Sequence, residues 1–188
     1  LEERQVNITR QKGNYTLPAE IMLAAAMNPC SCGNYPDIEK CTCTFSQLQQ
    51  YLGKISQPFL DRMDLCIEAA RVDYKTLQGD LPEECSADIR KRVCRARGVQ
   101  KARYRGRGIQ TNARLDRDGI EKYCRLTREG KEIMELAFEN LALTARTYHR
   151  ILKVARTIAD LDKADDIAVH HLREAVGYRM IDKKYWGR

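Results

Sequence analysis

Four cysteines, Cys30, Cys32, Cys41 and Cys43, stand within fourteen residues in the pattern C-x-C-x8-C-x-C. Thiolates on two short arms can close a tetrahedron around zinc at about 2.3 Å per sulfur, with the loop between them wrapping the ion. Gly33, Asn34 and Pro36 are the turning residues such a loop needs. The usual knuckle is C-x2-C and this spacing is tighter, so four free thiols or an adventitious disulfide remain open as alternatives. A catalytic zinc needs an open coordination position, and the histidines, at 149, 170 and 171, are all far from the cluster in sequence. Any zinc here therefore reads as a structural staple. Cys66, Cys85, Cys94 and Cys124 are scattered and read as ordinary core or surface residues.

A second chemistry lies in the cations. Between Asp88 and Asp116 there is no acidic residue, while Arg90, Lys91, Arg92, Arg95, Arg97, Lys101, Arg103, Arg105, Arg107 and Arg114 crowd the segment. On a helix, Ile89, Val93, Ala96 and Tyr104 form a narrow apolar stripe and the cations spread over the rest. That pattern suits sequence-independent, salt-dependent contact with a phosphate backbone through Arg90, Lys91, Arg97, Lys101 and Arg105. The alternative is a solvated helix whose cations pair with neighbours such as Glu83 and Glu84. No base-reading motif is present, so any DNA contact is expected to be non-specific.

Three polar residues occupy positions that matter in phosphate chemistry. Asn28 ends the apolar run "IMLAAAM"; Arg62 sits in "FLDRMDL" between Asp61 and Asp64; Arg146 follows Thr144 at the start of an amphipathic helix. In open parallel sheets, ligands gather at the carboxyl ends of strands. A cation in a helix's first turn is disfavoured by roughly 0.3 to 1 kcal/mol unless an anion is near. Each residue also has a plainer reading: a turn-forming Asn before Pro29, a local salt bridge, a solvated face.

The elements that must position these groups are legible in the pattern. "RQVNITR" and "NYTLPAE" alternate around "QKGN", which predicts a hairpin over residues 5–18 with Gly13 in the turn and Arg10 and Lys12 at the tip. The unalternated runs 21–27 and 65–69 predict strands of a parallel sheet covered on both faces. "TFSQLQQYLGKI" predicts a short helix. Helices are expected near 86–104, 116–125, 127–139, 144–162 and 168–178; in the fourth, Ala145, Tyr148, Ile151, Leu152, Ala155, Ile158 and Ala159 share a face and Thr144 is the N-cap. The expected organisation is α/β plus all-α: residues 1–72 a strand-containing core with the cysteine loop, 73–85 a linker, and 86–188 a helical domain.

The chain has 188 residues, 43% of them hydrophobic, and a formal charge of +7. That is enough to bury a core, and the charge favours anionic partners. No apolar run reaches 18 residues and no secretory signal is visible, which argues against a membrane partner and for the cytoplasm, where clustered cysteines read as metal or redox chemistry. The start at Leu1, directly in strand-like sequence, suggests a piece of something longer.

The segments "LEERQVNITR", "LAAAMNPCSCG", "CTCT", "QPFLDRMDL" and "LTARTYHRILKVARTIADL" together resemble the magnesium-chelatase-like AAA+ ATPases, in the competence-protein group, over nearly the whole chain. The resemblance implies the distal part of a P-loop ATPase core followed by a helical lid, with ATP and Mg2+ as cofactors and assembly into a ring. It implies that Asn28 is the sensor-1 residue positioning the water that attacks the γ-phosphate. Arg62 matches the arginine finger offered to a neighbouring subunit's ATP. Arg146 matches the sensor-2 arginine of the lid, and hairpin 5–18 a pore-facing hairpin. The task it implies is DNA remodelling, with branch migration on single-stranded or branched DNA. The phosphate-binding loop G-x-x-x-x-G-K-[ST] occurs nowhere in these residues, so the chain alone is expected to lack ATPase activity. Two other readings stand beside this one: a motor subunit of a magnesium-insertion complex, and a zinc-stapled nucleic-acid-binding module.

Overall fold

The computed structural model describes residues 4–11, 13–69, 72, 74 and 84–186. It resolves into two compact units, one up to Met63 and one from Asp64 onward. Lys12 and nearly all of the linker 73–85 lie outside the described residues.

The first unit begins with the hairpin expected from the alternation. Strands β1 (Gln5–Arg10) and β2 (Gly13–Pro18) pair antiparallel, with Gln5 opposite Pro18 and Arg10 opposite Gly13. Gly13 has φ +145°, a backbone state that side chains disfavour, so the glycine suits the turn. Because side chains alternate across a strand, Val6 and Ile8 share a face with Leu17 and Tyr15, and all four are exposed. Beyond the cysteine loop come helices α1 (Phe45–Leu52) and α2 (Gln57–Leu60).

The expected parallel strands are absent among the described residues. Residues 21–27 are irregular and exposed, Met22 to 94%, and no described segment pairs with them. A strand covered on both faces exists only through neighbours that take up its backbone groups. Apolar composition alone does not supply them. Residues 65–69 form no strand either. Instead Asp64–Glu68 strap the helical unit: Asp64 pairs with Arg150, the Cys66 N–H donates to Tyr178 O at 3.3 Å, and Glu68 accepts from Lys184 Nζ at 2.7 Å and Tyr185 Oη at 2.8 Å.

The second unit is helical: α3 (Ser86–Arg103), a 3-10 turn (Asn112–Arg114), α4 (Arg117–Tyr123), α5 (Arg128–Asn140), α6 (Ala145–Leu161) and α7 (Val169–Trp186). Four of the starts have a local cause in a side-chain cap. Asp116, Thr127 and Thr144 accept from the N–H of Gly119, Gly130 and Thr147 to cap α4, α5 and α6. At α7 the cap is inverted: His171 Nδ1 accepts from Ala168 N–H at 3.0 Å, which leaves the proton on Nε2, 3.1 Å from Asp162 Oδ2. The group Asp162, His170 and His171 is therefore a hydrogen-bonded helix cap, since a metal on His171 Nε2 would have to displace that proton.

The core gathers on α6, whose apolar face is the one the spacing predicts: Ile151, Leu152, Ala155, Ile158 and Ala159 are buried together with Tyr104, Met134 and Leu172. Ala145, assigned to that face, is exposed at the helix's first residue. Through the core runs a polar network. Asp160, with no side-chain exposure, accepts from Arg103 at 2.9 and 2.5 Å, Arg156 Nε at 3.1 Å and Asn112 Nδ2 at 2.9 Å. Arg156 also donates to the carbonyls of Asp165 and Ala164, both at 2.6 Å, which ties the loop after α6 to the helix itself. Among the described residues, no helix is long and apolar enough to cross a membrane.

Candidate metal centre

The cysteine loop is built by short-range hydrogen bonds. Gly33 N–H donates to Cys30 O at 3.1 Å, closing a turn that Gly33 completes at φ +78°. Asp37 N–H donates to Asn34 O at 2.9 Å, and Cys41 N–H donates to Asp37 O at 2.8 Å, bringing the second arm back to the first. Asn34 Nδ2 reaches Lys40 O at 3.1 Å across the loop. Cys43 then runs directly into Thr44, which starts α1 with a capping box: Thr44 Oγ1 accepts from Gln47 N–H and Gln47 Oε1 from Thr44 N–H.

The result places the ligand atoms of Cys30, Cys32, Cys41 and Cys43 within 4.8 Å of one another. The sulfurs of Cys30 and Cys32 are 3.3 Å apart, those of Cys32 and Cys41 3.6 Å, and those of Cys30 and Cys41 3.9 Å. Four sulfurs about 2.3 Å from a central zinc would lie about 3.8 Å from each other, so the spread matches a tetrahedral cage. A disulfide needs about 2.05 Å, and all four cysteines are free.

Electrostatics favour a divalent occupant. The Asn34 N–H and the Cys30 thiol bring Cys32 down to about 5 against the cost of burial. Burial pushes Cys30 up, but N–H groups of Tyr35, Asn34 and Cys32 bring it down overall. Cys41, although the Cys43 N–H lowers it, is driven up to about 12 by burial and by the sulfurs of Cys32 and Cys30. Cys43 is raised in the same way, with the Cys32 N–H opposing. Four sulfurs this close cannot all ionise by themselves, and a doubly charged cation removes that repulsion.

The other sequence-derived residues fall as follows. Asn28 is exposed, two residues before Cys30, with its carbonyl accepting from Tyr51 Oη at 3.1 Å. Arg62, half-buried just after α2, donates to Pro58 O at 2.7 Å; the hydrogen bond is to backbone and not to Asp61 or Asp64. Arg146 is exposed in the first turn of α6 and belongs to the other unit. On α3, Arg90, Lys91, Arg97 and Lys101 are exposed, as is Arg105 just beyond it, and Arg10 is exposed at the hairpin end. Lys91 pairs with Asp88 at 2.8 Å and Arg92 with Glu84 at 2.9 Å, so part of the basic segment does find acidic neighbours. Arg103, counted among the surface cations by sequence, is absorbed into the Asp160 network. Arg90, Arg97 and Lys101, at spacings of seven and four, share one helix face.

Sequence reasoning missed Tyr51 and the Arg103–Asp160–Arg156 network. The signal for the network was present: Arg156 and Asp160, four apart, interrupt the apolar face of α6. Nothing in the local pattern announces Tyr51, because its partner lies 23 residues away.

Residues 83–179 match the family model described as magnesium chelatase, subunit ChlI C-terminal, and residues 1–77 match that of magnesium chelatase, subunit ChlI. The chain belongs to this magnesium-chelatase family, an AAA+-type family. Within it the chain is of the ComM type. It is 40% identical over 181 residues to competence protein ComM of Haemophilus influenzae, covering 95% of this chain and 34% of that protein. It is 40% identical over 184 residues to protein YifB of Escherichia coli, covering 97% and 35%, and 29% identical over 179 residues to protein Rv2897c of Mycobacterium tuberculosis, covering 95% and 35%. The chain thus spans about a third of the length of these relatives.

Proposed function

We propose that this chain is the distal part of the ATPase core, with its helical lid, of a ring-forming motor that couples ATP hydrolysis to remodelling or branch migration of DNA in the cytoplasm. ATP and Mg2+ serve the whole protein. In this reading Asn28 orients the attacking water, Arg62 offsets charge developing on the phosphoryl group of a neighbouring subunit's ATP, and Arg146 reaches the nucleotide from the lid. The cysteine cluster holds zinc as a structural staple.

The observation that carries the DNA part is the row Arg90, Arg97 and Lys101 on one face of α3, for which no ion pair is present among the described residues. With Arg105 beyond the helix it offers charge for a phosphate backbone, and Arg10, exposed at the hairpin end of the other unit, is a separate candidate contact, as is Lys12 by its place in the sequence. Fluorescence anisotropy with branched and single-stranded DNA at 50 and 200 mM salt tests it. Three phosphate contacts give a slope of about −2 to −3 in log K against log salt, or about 16- to 64-fold weaker binding over that range. Arg97→Glu with Lys101→Glu is expected to remove binding; salt-insensitive or absent binding by the unaltered chain refutes the DNA role. For Arg62, Arg62→Ala in the longer protein is expected to lower turnover by on the order of 10³ with nucleotide binding kept. Unchanged turnover removes the finger assignment.

The second reading, a motor subunit for magnesium insertion, is favoured by the description of the matching family model itself. It needs no DNA-facing charge, so loss of the DNA result together with retained nucleotide turnover in the longer protein would select it.

A further inference from the structure

The cysteine cluster and Asn28 are linked by more than their proximity in sequence. Downstream, Asn28 is separated from Cys30 only by Pro29, whose ring fixes one of the intervening backbone torsions. The second link starts from the other arm: Cys43 is followed by Thr44, the capping box sets the start of α1, and two turns later Tyr51 returns its hydroxyl to Asn28 O at 3.1 Å. The third link is on the side chain, since a Cβ placed on Gly33 would lie 3.9 Å from Asn28 Nδ2. The carboxamide therefore borders the turn between the cysteine arms.

A cavity of 540 Å³ opens between the cluster and α1, lined by Cys32, Cys43, Gln47, Tyr51 and Lys54 among others. Packing does not enclose the Tyr51 ring on that side. Its hydroxyl bond to Asn28 O ties α1 to the Asn28 backbone.

We infer that Tyr51 is a positioning residue for Asn28, and that a divalent metal on Cys30, Cys32, Cys41 and Cys43 sets Asn28 through the closed path cluster, α1, Tyr51, Asn28. The inference rests on the reading of Asn28 as a phosphate-directed group and makes the staple part of that group's preorganisation. Two cysteine arms held on one ion fix the start of α1 relative to Cys30. Tyr51 transfers that constraint back to the carbonyl of the residue two positions before it. A metal-free loop keeps the sequence neighbours but loses the common anchor.

The test uses the whole 188-residue chain, labelled with 15N, in three states: zinc-loaded, chelator-treated, and zinc-loaded Tyr51→Phe. Cobalt substitution, followed by thiolate-to-cobalt absorption, reports the cluster separately. The expected backbone order parameter at Asn28 is about 0.85 in the zinc-loaded chain and below about 0.6 after chelation. In zinc-loaded Y51F it is again below about 0.6, although cobalt absorption matches the unaltered chain. Full order at Asn28 in Y51F, or no change on chelation, overturns the inference while leaving the metal site standing. Absence of cobalt–thiolate absorption overturns the metal site and the inference together. The reading of Asn28 itself is separately answered by Asn28→Ala in the longer protein, where unchanged ATP turnover would defeat it.

Discussion

Asp160 is the residue on which the helical unit's polar interior converges. Burial alone would raise its carboxyl, but hydrogen bonds from Arg103 and Asn112 and the charges of Arg103 and Arg156 hold it below the ordinary 3.8. The unfolded chain therefore binds more protons than the folded one as acid is added. Asp160's contribution is complete above about pH 4 and is lost as pH falls through its lower folded value. Asp160→Ala leaves Arg156, 2% exposed, without its carboxylate, and is expected to cost about 3 to 5 kcal/mol at neutral pH by urea unfolding. The acid sensitivity below about pH 4 should shrink in the same variant. Substituting an exposed pair such as Arg117 and Glu121 should move the midpoint little, because solvent screens such charges.

At the scale of elements, two helices end in the same unusual way. After α5, Leu143 N–H donates to Phe138 O at 3.0 Å and Ala142 N–H to Glu139 O at 3.2 Å; after α6, Ala164 N–H donates to Ala159 O at 2.8 Å and Lys163 N–H to Asp160 O at 3.3 Å. This is the Schellman pattern, which needs a left-handed residue where glycine is preferred. Here Ala142 has φ +44° and Lys163 φ +64°. Ala142→Gly and Lys163→Gly are each expected to raise stability by roughly 0.5 to 1 kcal/mol in thermal or denaturant unfolding. At the other end of α6, Thr144→Ala removes the cap and should cost about 1 kcal/mol. Gly119 marks the reverse case. A Cβ there would meet Leu115 Cδ2 at 2.6 Å and the capping Asp116 Oδ1 at 2.9 Å, and Leu115 is buried. Gly119→Ala is expected to destabilise by about 1 to 3 kcal/mol in the same experiment, although alanine is the better helix former.

At the scale of the whole molecule, the two units draw stability from different sources. The helical unit owns the apolar core and the buried network. The unit up to Met63 has few buried side chains, among them Cys30, Leu52 and Leu60, so in the proposed reading a metal on the cysteine cluster would be its principal tertiary staple. Chelation is expected to collapse the dispersion of resonances from residues 28–52 while those of the α3–α7 core keep their positions. Loss of both sets at once would show that the helices also depend on the metal. The same contrast explains which expectations survived. Periodicity of 3.6 is a local property, so the helices after Ser86, the Thr144 cap and the buried face of α6 could be read residue by residue, as could the hairpin alternation. The runs 21–27 and 65–69 failed because strand formation depends on partners elsewhere, which composition does not reveal.

What the sequence by itself determined was local: the cysteine spacing that lets four sulfurs meet, the helix starts, the turn glycines and the concentration of cations on α3. Only the tertiary structure decided which cations remain on the surface, since Arg103 is drawn inward by a carboxylate 57 positions away. It also decided that Asp64–Glu68 strap helices instead of joining a sheet, and that Tyr51 returns to Asn28. The division has one physical cause. Propensity, capping and loop closure act over a few residues and are written in neighbouring side chains, whereas the pairing of buried polar groups is settled by whichever partners the folded chain brings within hydrogen-bonding distance.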